Sequence, residues 1–568
     1  MSYPLRRRAL TPLRYTGCQR GLLRRWTIAS RGVVSALAMV WVLQAAVIGE
    51  SATAADALPS TTSEADARHL LDRLAFGPAP GDLQRVQQIG ARQWIDEQLH
   101  PERIVEPEAL SRYVAAQTRV AESPAALYAR LGPEQRRSAS RDRTALQAFR
   151  RERSQVLAQA QNLRLMRAVA SPAQLQEVLV DFWFNHFNVY AGKSQVAPLW
   201  MGAYEREAIR PHVLGRFREL LGATAEHPAM LLYLDNARSS RPPLKPAAKG
   251  GINENYAREL MELHTLGVDG GYQQADVLAL ARILTGWTYL TKKMIEQPAA
   301  PAFVFAADRH DKGAKRWRGQ SFAAGGGREE GLAALDRLAR DPATARHIAR
   351  RLVQYFIADE PPPAAVDRVA QRFLKTDGDL RETLRALFES PEFWSAAARG
   401  AKFKTPYQYV VSVARSRGDA DRVDPRKLVT ALRDLGQPLY GCVTPDGYSN
   451  VAADWLSPGG IAARVHFAVS IDAASRSRPV ASRPPTMAGD GAMADDDDDA
   501  RAPSMRAADA GDGAVEAPTT AGPRAISADA LIATVGARFS AGTLAAARQA
   551  PPALRAPLLW ASPEFQRR

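Results

Sequence analysis

Hydrophobic residues recur with the period of an α-helix along most of this chain, from residue 65 to about residue 475. The pattern predicts helices over residues 67–76, 81–99, 133–169, 343–357, 364–374 and 379–388. The stretch 133–169 is rich in charge, so we expect a long, solvent-exposed helix there. Strand signals are scarce, and Phe303–Phe305 is the best of them. The sequence therefore predicts an all-α fold: one large multi-helical domain with long loops and few or no strands.

The first 54 residues have the pattern of an export signal. Residues 1–31 are rich in arginine and free of acid, and an apolar run follows over residues 33–49. This run is shorter than the roughly 20 residues that a membrane-spanning helix needs. Ala52, Thr53 and Ala54 match the small-residue pattern of a cleavage site. We predict a signal peptide cleaved near Ala54 and a protein exported to the periplasm or the exterior, with an uncleaved membrane anchor as the alternative.

The remaining chain divides by composition. Residues 55–475 carry the helical pattern and are predicted to form the main domain. Residues 476–525 are rich in Pro, Ala, Gly, Ser and Asp, with five consecutive aspartates at 495–499. Such a segment buries too little apolar surface to offset its chain entropy, so we predict a disordered acidic insertion. Residues 526–568 regain the helical pattern, and we expect them to pack back on the main domain.

Charge and cysteine content exclude several classes of protein. The formal charge of +15 falls to +8 when residues 1–54, with eight arginines and one glutamate, are set aside. No stripe of basic and aromatic residues follows, so no nucleic-acid partner is predicted. Beyond residue 54 the single cysteine is Cys442, which excludes an internal disulfide framework and a multi-cysteine metal site. No later segment is long and apolar enough to predict a membrane span.

Polar residues interrupt one very aromatic helical stretch, DFWFNHFNV at residues 181–189. Asp181, Asn185 and Asn188 stand at i, i+4 and i+7, so one helix would carry all three on one face. His186 is one step round from Asn185. A helix with three Phe and one Trp should be buried, and its polar groups then need partners.

A second stretch, NENYARELMELH at residues 253–264, repeats this arrangement. Asn255, Glu259 and Glu262 have the same i, i+4, i+7 spacing. Arg258 can pair with Glu254 in the favourable i, i+4 order. Two helices with polar edges and apolar backs could turn those edges toward one cavity.

Three sets of residues carry the functional interpretation. The catalytic candidates are Glu259, Glu262, His186 and Asp181, because paired carboxylates and a histidine can exchange protons with a substrate. The candidates for substrate binding are Asn185, Asn188, Asn255, Arg258, His310 and Asp311. The candidates for holding a divalent metal, as one option, are His186, Glu259 and His264.

The alternative is structural, with the same side chains forming a buried network of hydrogen bonds and salt bridges. The chain has neither H-E-x-x-H nor the paired E-x-x-H motifs of di-iron bundles, which weakens the metal interpretation. It also lacks G-x-S-x-G, a P-loop and a G-x-G-x-x-G that follows a strand. Serine hydrolases, nucleotide hydrolases and dinucleotide enzymes therefore have no support.

At these segments the chain resembles the bacterial DUF1800 (domain of unknown function 1800) family of exported proteins. The resemblance rests on HLLDRLAFGPAPGDL (69–83), DFWFNHFNVYAGK (181–193), residues 204–236, NENYARELMELHTLGVDGGY (253–272), ARILTGW (281–287), the His310-Asp311 loop, GQPLYGCVTPDGY and WLSPGG. It implies export and a helical fold, and it implies no reaction. Genes of this family often lie beside those of another exported family resembling sulfatases, which suggests a partner encoded nearby and polymer chemistry in the cell envelope.

Two functions follow as hypotheses. The first is an envelope enzyme, a hydrolase with or without metal assistance, that uses carboxylates and histidine on the two polar-faced helices. The second is a non-catalytic periplasmic binding or assembly protein with a structural polar network. Converging, partly solvent-open carboxylates would favour the enzyme, and fully paired carboxylates would favour the scaffold.

Overall fold

Helices dominate the structure, a computed structural model that describes residues 58–242, 251–473 and 526–568. The first third of the chain forms α1 (Glu64–Leu74), α2 (Asp82–Ile89), α3 (Ala91–Leu99), α4 (Glu108–Ala116), α5 (Thr118–Ala121), α6 (Pro124–Leu131), α7 (Pro133–Ala139), α8 (Arg143–Ala170) and α9 (Gln174–His186). The middle forms α10 (Ala197–Tyr204), α11 (Phe217–Glu226), α12 (Pro228–Tyr233), α13 (Asn255–Glu259), α14 (Gln274–Ile283), α15 (Thr291–Glu296), α16 (Arg328–Ala339) and α17 (Pro342–Phe356).

The last part continues in the same style. It forms α18 (Pro363–Lys375), α19 (Leu380–Phe388), α20 (Pro391–Trp394), α21 (Pro406–Ser416), α22 (Pro425–Asp434), α23 (Pro458–Ala473), α24 (Ala528–Val535), α25 (Ala541–Gln549) and α26 (Pro552–Ala561). Two π-helical turns, Glu205–Ile209 and Leu260–His264, directly follow α10 and α13. Such turns are rare in proteins, and those that occur often lie at functional sites.

The strands of the described residues form two short antiparallel pairs. β1 (Trp287–Tyr289) pairs antiparallel with β2 (Phe303–Phe305), and Trp287 stands opposite Phe305. β3 (Lys315–Trp317) pairs antiparallel with β4 (Gln320–Phe322). The predicted all-α class and the predicted strand at Phe303–Phe305 are both confirmed.

Two helix predictions need correction. The predicted helix 81–99 is broken at Gly90, whose φ of +82° a side chain would disfavour, so α2 and α3 are separate helices. The predicted helix 133–169 is broken between α7 and α8, and the Asp142 side chain caps α8 by accepting from the Ala145 N–H. The expected exposure is also wrong for the end of α8, where Arg164 and Leu165 are buried.

One continuous hydrophobic core joins the helices, and α9 runs through it. Trp183 and Phe187 of this segment are fully buried. Trp183 packs edge-on against Phe182 and lies 6.0 Å, ring centre to ring centre, from Phe217. This apolar packing is why any polar side chain on α9 must find its partner within the protein.

Residues 526–568 pack against the rest of the described chain. α26 lies along α23. Arg538 forms a buried ion pair with Asp72 of α1. The backbone N–H of Lys402 donates to the oxygen of Arg568 at 3.1 Å, and that of Lys404 donates to the oxygen of Gln566 at 2.9 Å. The last residues are therefore tied into the fold by backbone pairing.

The predicted signal peptide and the whole of the predicted insertion lie outside the described residues. Within the described ranges, no helix combines the length and apolar character that a membrane span requires.

Candidate functional site

The polar face of α9 begins with a buried ion pair. Arg164 of α8 donates to Asp181 of α9 at 2.8 Å, and the Arg164 side chain is only 4% exposed. The guanidinium lies 4.8 Å from the ring centre of Phe184 and 5.3 Å from that of Tyr407. Burial raises the pKa of Asp181, against the opposite effect of the Arg164 charge. The aromatic rings thus shield an ion pair that fixes α8 against α9.

A second set of charges extends this network. Arg210 donates to both oxygens of Glu177, at 2.6 and 2.9 Å, and to Glu205 at 3.0 Å. The Tyr440 hydroxyl donates to the other Glu205 oxygen at 2.9 Å. Burial alone would raise the pKa of Glu205, but the charges of Arg164 and Arg210 lower it. Each buried carboxylate here has a cationic partner, which is the arrangement expected of a structural network.

Two asparagines fasten a loop, residues 441–450, which we call the capping loop. Asn185 Nδ2 donates to the Tyr448 oxygen at 2.8 Å, and the Tyr448 N–H returns a bond to Asn185 Oδ1 at 2.7 Å. Asn188 Nδ2 donates to the oxygens of Cys442 and Thr444, at 3.1 and 2.8 Å. α9 ends at His186, so the prediction that Asn188 lies on the same helical face is wrong. Both amides nevertheless bind the loop.

A cavity of about 30 Å³ lies between α9 and the segment that leads into the capping loop. Its lining includes Asp181, Asn185, Asn188, Arg164 and Tyr448. A volume of this size holds roughly one or two water molecules, whereas substrate pockets measure hundreds of Å³. The cavity beside the polar face of α9 therefore has space for water and not for a substrate.

Three histidines meet where α9 ends: His186 and His264 are buried, and His347 is half-buried. His186 Nε2 lies 3.2 Å from the backbone oxygen of His264, and the His186 ring centre is 6.2 Å from that of His264 and 6.1 Å from that of His347. His347 Nε2 lies 3.1 Å from the Leu263 oxygen. Burial lowers the pKa of His264 to about 3 and that of His347 to about 4, and it also lowers the pKa of His186. All three rings are neutral at physiological pH.

The proposed metal ligands do not converge. Among the described residues, no group of three or more His, Cys, Asp or Glu side chains is arranged to hold a metal ion. His186 directs Nε2 at a backbone oxygen of His264 and not at a shared centre with the His264 ring. The geometry therefore gives no support to a site formed by His186, Glu259 and His264.

The second predicted helix is α13 followed by the π-helical turn Leu260–His264. Arg258 pairs with Glu254 at 3.4 Å, as predicted, and also donates to Gln274 at 2.9 Å. Asn255 Nδ2 donates to the backbone oxygen of Leu234 at 3.3 Å. The π turn ends in the His264 ring, which is buried. Glu259 stands at the junction between the α-helical and π-helical turns.

Glu259 belongs to a group of carboxylates that is open to solvent, unlike Asp181. Glu259 and Glu262 are half-buried, and Asp446 of the capping loop is exposed. The Tyr272 hydroxyl donates to Glu262 at 3.1 Å. Among the described residues, the side chain of Glu259 has no hydrogen-bond or ion-pair partner. We call Glu259, Glu262 and Asp446 the carboxylate cluster.

The electrostatics of the carboxylate cluster are unfavourable to ionised Glu259. Burial raises the pKa of Glu259, the negative charges of Glu262 and Asp446 raise it further, and Arg258 opposes them. Burial lowers the pKa of Arg351 in α17, and the negative charge of Asp446 opposes that effect. A carboxyl group whose pKa is raised beside other carboxylates is a typical setting for acid–base chemistry.

His310 and Asp311 lie in a separate cluster. His310 Nδ1 lies 2.9 Å from the Thr285 oxygen, and Asp311 accepts from Arg282 at 2.7 Å. Glu330 is 3.4 Å from His310 Nε2 and 2.7 Å from Lys315 Nζ. His310, Lys315 and Glu330 are buried. Their contacts connect β3 and α16 to the loop that carries His310. The structure does not bring the two predicted substrate ligands to the carboxylate cluster.

Sequence reasoning missed several residues of both sites. Arg164 was part of a stretch expected in solvent, and Glu205 and Tyr440 are 235 positions apart. Asp446 and Arg351 have no helical periodicity in common with Glu259. The segment GQPLYGCVTPDGY, which carries Tyr440 and Asp446, was the one available signal, because polar and aromatic residues in a loop often serve a site.

Comparison with protein-family models identifies the family of the chain. The sequence model of the family described as "Protein of unknown function (DUF1800)" matches residues 69–567. A search of curated proteins and a search of solved structures give no significant match. Because this match covers most of the sequence, including α9, α13 and the capping loop, the chain belongs to the DUF1800 family.

Proposed function

We propose that this protein is an exported hydrolase that uses the carboxylate cluster for metal-independent acid–base catalysis. The observation that carries the proposal is Glu259: it is half-buried, has no hydrogen-bond or ion-pair partner among the described residues, and has a raised pKa. Carboxylates that serve only structure, such as Asp181 and Glu205, are paired. The carboxylate cluster is the partly open, converging arrangement expected of an enzyme.

The cluster offers complementary proton-transfer roles. Glu259, whose pKa burial and the neighbouring carboxylates raise, would donate a proton to the leaving group. Glu262, oriented by the Tyr272 hydroxyl, would accept a proton from the attacking water. Arg351 would balance negative charge that develops on the substrate. Such a pair of carboxyl groups suits the hydrolysis of glycosidic or ester bonds, and polymers of the cell envelope are the substrate class we propose.

The other predicted residues would act by positioning. Asn185 and Asn188 hold the capping loop, which presents Asp446 to Glu259. Asp181 and Arg164 fix α9, and His186 joins the end of α9 to the turn that carries Glu262. Export to the periplasm, with cleavage near Ala54, is part of the proposal.

The test is an activity screen with matched variants. The purified protein is assayed on envelope polysaccharides and on chromogenic glycosides and esters from acid to neutral pH, beside Glu259→Gln and Glu254→Gln. Glu254 lies just before the same helix and is already paired with Arg258. We expect Glu259→Gln to lose about 10²-fold or more in kcat and Glu254→Gln to change it little. Equal activity in all three proteins would overturn the proposal.

One observation favours the second function, a non-catalytic binding or assembly protein. The larger polar network is fully internal, and its cavity has room only for water. If the buried polar residues serve only that network, no substrate is turned over and Glu259→Gln leaves every binding property intact. The screen above separates the two functions.

A further inference from the structure

α7, the turn at residues 140–142 and the first part of α8 form a helical hairpin with a strong positive charge. Residues 133–153 contain seven arginines and three acids. Six of the arginines are exposed: Arg136, Arg137, Arg141, Arg143, Arg150 and Arg151. We call this surface the arginine hairpin. It is independent of the carboxylate cluster.

The six guanidinium groups have no internal counter-charge. None forms an ion pair or a side-chain hydrogen bond among the described residues. Two of the three local acids are engaged elsewhere, because Asp142 caps α8 and Glu152 pairs with Arg130. Other exposed arginines, such as Arg112, Arg340 and Arg346, instead pair with a neighbouring carboxylate. The unpaired charge of the hairpin is therefore available to a partner.

The shape and composition of the hairpin limit the class of partner that it can bind. Arg143 and Arg150 are seven residues apart on α8 and so share one face, with Arg151 beside Arg150. The tip is convex, since residues 136–138 and 140–145 are all exposed. A convex row of arginines fits an extended array of anions better than a single small ligand, and guanidinium groups bind phosphate through paired hydrogen bonds.

Apolar residues of the hairpin point inward. Phe149 and Val156 are buried and Leu146 is half-buried. The surface therefore offers no aromatic platform for unpaired bases and no apolar wedge for insertion between lipid chains. Attraction between the arginines and phosphate head groups is the interaction that it can make.

We propose that the arginine hairpin is an electrostatic docking surface for a bilayer rich in anionic phospholipid. The protein would adsorb through α7 and α8 without inserting a segment. Because each contact is a screened charge interaction, binding should weaken steeply as salt is added.

The test is co-sedimentation of the full chain with vesicles of phosphatidylcholine, alone or with one part in three of phosphatidylglycerol. The hairpin variant replaces Arg136, Arg137, Arg143 and Arg150 with Gln. The control replaces Arg112, Arg340, Arg346 and Arg426, which are also exposed but already paired, and so has the same net charge. Both variants keep the same residues 1–57, so any contribution of that segment cancels in the comparison.

We expect binding to the anionic vesicles alone, lost at high salt, with affinity reduced about tenfold or more in the hairpin variant and nearly unchanged in the control. An equal loss in both variants would overturn the proposal, because net charge would then explain the binding. Absence of binding to anionic vesicles would overturn it too. Tighter binding to duplex or single-stranded DNA at the same salt would assign the surface to nucleic acid instead.

Discussion

Asn185 and Tyr448 exchange two hydrogen bonds: the amide nitrogen of Asn185 donates to the Tyr448 oxygen at 2.8 Å, and the Tyr448 N–H donates to the amide oxygen at 2.7 Å. The two residues are 263 positions apart in the chain. This reciprocal pair fixes the register of the capping loop on α9. Asp446, two residues before Tyr448, is thereby held toward Glu259 of the other polar-faced helix.

Replacing Asn185 with Ala should release the capping loop. Two bonds are lost and two backbone groups lose their partners, so we expect the free energy of unfolding to fall by about 2 kcal/mol. Hydrogen exchange of residues 441–450 should accelerate. The control is Asn255→Ala, which removes one 3.3 Å bond and should cost less than about 1 kcal/mol. Unchanged exchange in the loop would show that the amide does not hold it.

Replacing Arg164 with Met should be far more damaging. The change leaves Asp181 and Glu205 buried without their shared cation, and breaking a buried pair costs about 3–5 kcal/mol. Chemical denaturation measures the loss. Arg112→Met, at an exposed pair with Glu108, should cost less than about 1 kcal/mol. Similar costs for the two variants would contradict a structural role for the Arg164 network.

The sequence indicated that α9 is buried, but it did not identify the residues that pair with the polar side chains of α9. The aromatic residues around Asp181 and Asn185 require a buried helix with internally satisfied polar groups, and the structure has both. What supplies those partners could not be found from periodicity, because Arg164, Tyr440 and Tyr448 reach α9 from distant elements. The helical repeat also continues past His186 in sequence, although the chain leaves the helix there and Asn188 lies in the following segment.

The interpretation of two polar faces around one cavity was only partly right. The ends of the two helices meet, since His186 contacts the backbone of His264. The carboxylates nevertheless lie in two separate places. Asp181 is in a buried ion pair, and Glu259 is in a cluster that is open to solvent. The capping loop lies against both, and no local pattern in the sequence marks a loop that inserts between helices. The π-helical turn after Glu259 was also invisible to a helical repeat.

His264 and His347 should make the fold sensitive to acid. The folded-state pKa of His264 is about 3 and that of His347 about 4, below the ordinary value of 6.5. A lowered pKa means that stability is complete above about pH 6.5 and is lost as the pH falls toward the folded-state values. Each histidine should cost about 2 kcal/mol between pH 6.5 and pH 5.

Denaturation curves of the protein and of His347→Gln measure this effect. Gln preserves a donor toward the Leu263 oxygen and cannot be protonated, so the variant should lose less stability on acidification. His466→Gln, at an exposed histidine, is the control and should change the slope little. Parallel pH dependences for the protein and His347→Gln would contradict the account.

Replacing Glu259 with Gln should stabilise the protein at neutral pH. The raised pKa of Glu259 means that its contribution to stability is present below the ordinary pKa and is lost as the pH rises through the folded-state value. Gln removes that loss, so the gain should vanish in acid. Glu254→Gln should instead lower stability slightly at neutral pH, because it removes the pair with Arg258. A destabilised Glu259→Gln would show that the carboxylate is favourably paired.

The central claim is that Glu259 retains its proton at a pH where ordinary glutamates have lost theirs. Carbodiimide coupling, which modifies protonated carboxyl groups, can follow this residue by mass spectrometry across a pH series, with the exposed Glu108 as internal reference. We predict a labelling midpoint for Glu259 above that of Glu108, and a shift toward Glu108 in Glu262→Gln and in Asp446→Asn. A midpoint at or below that of Glu108 would contradict the account.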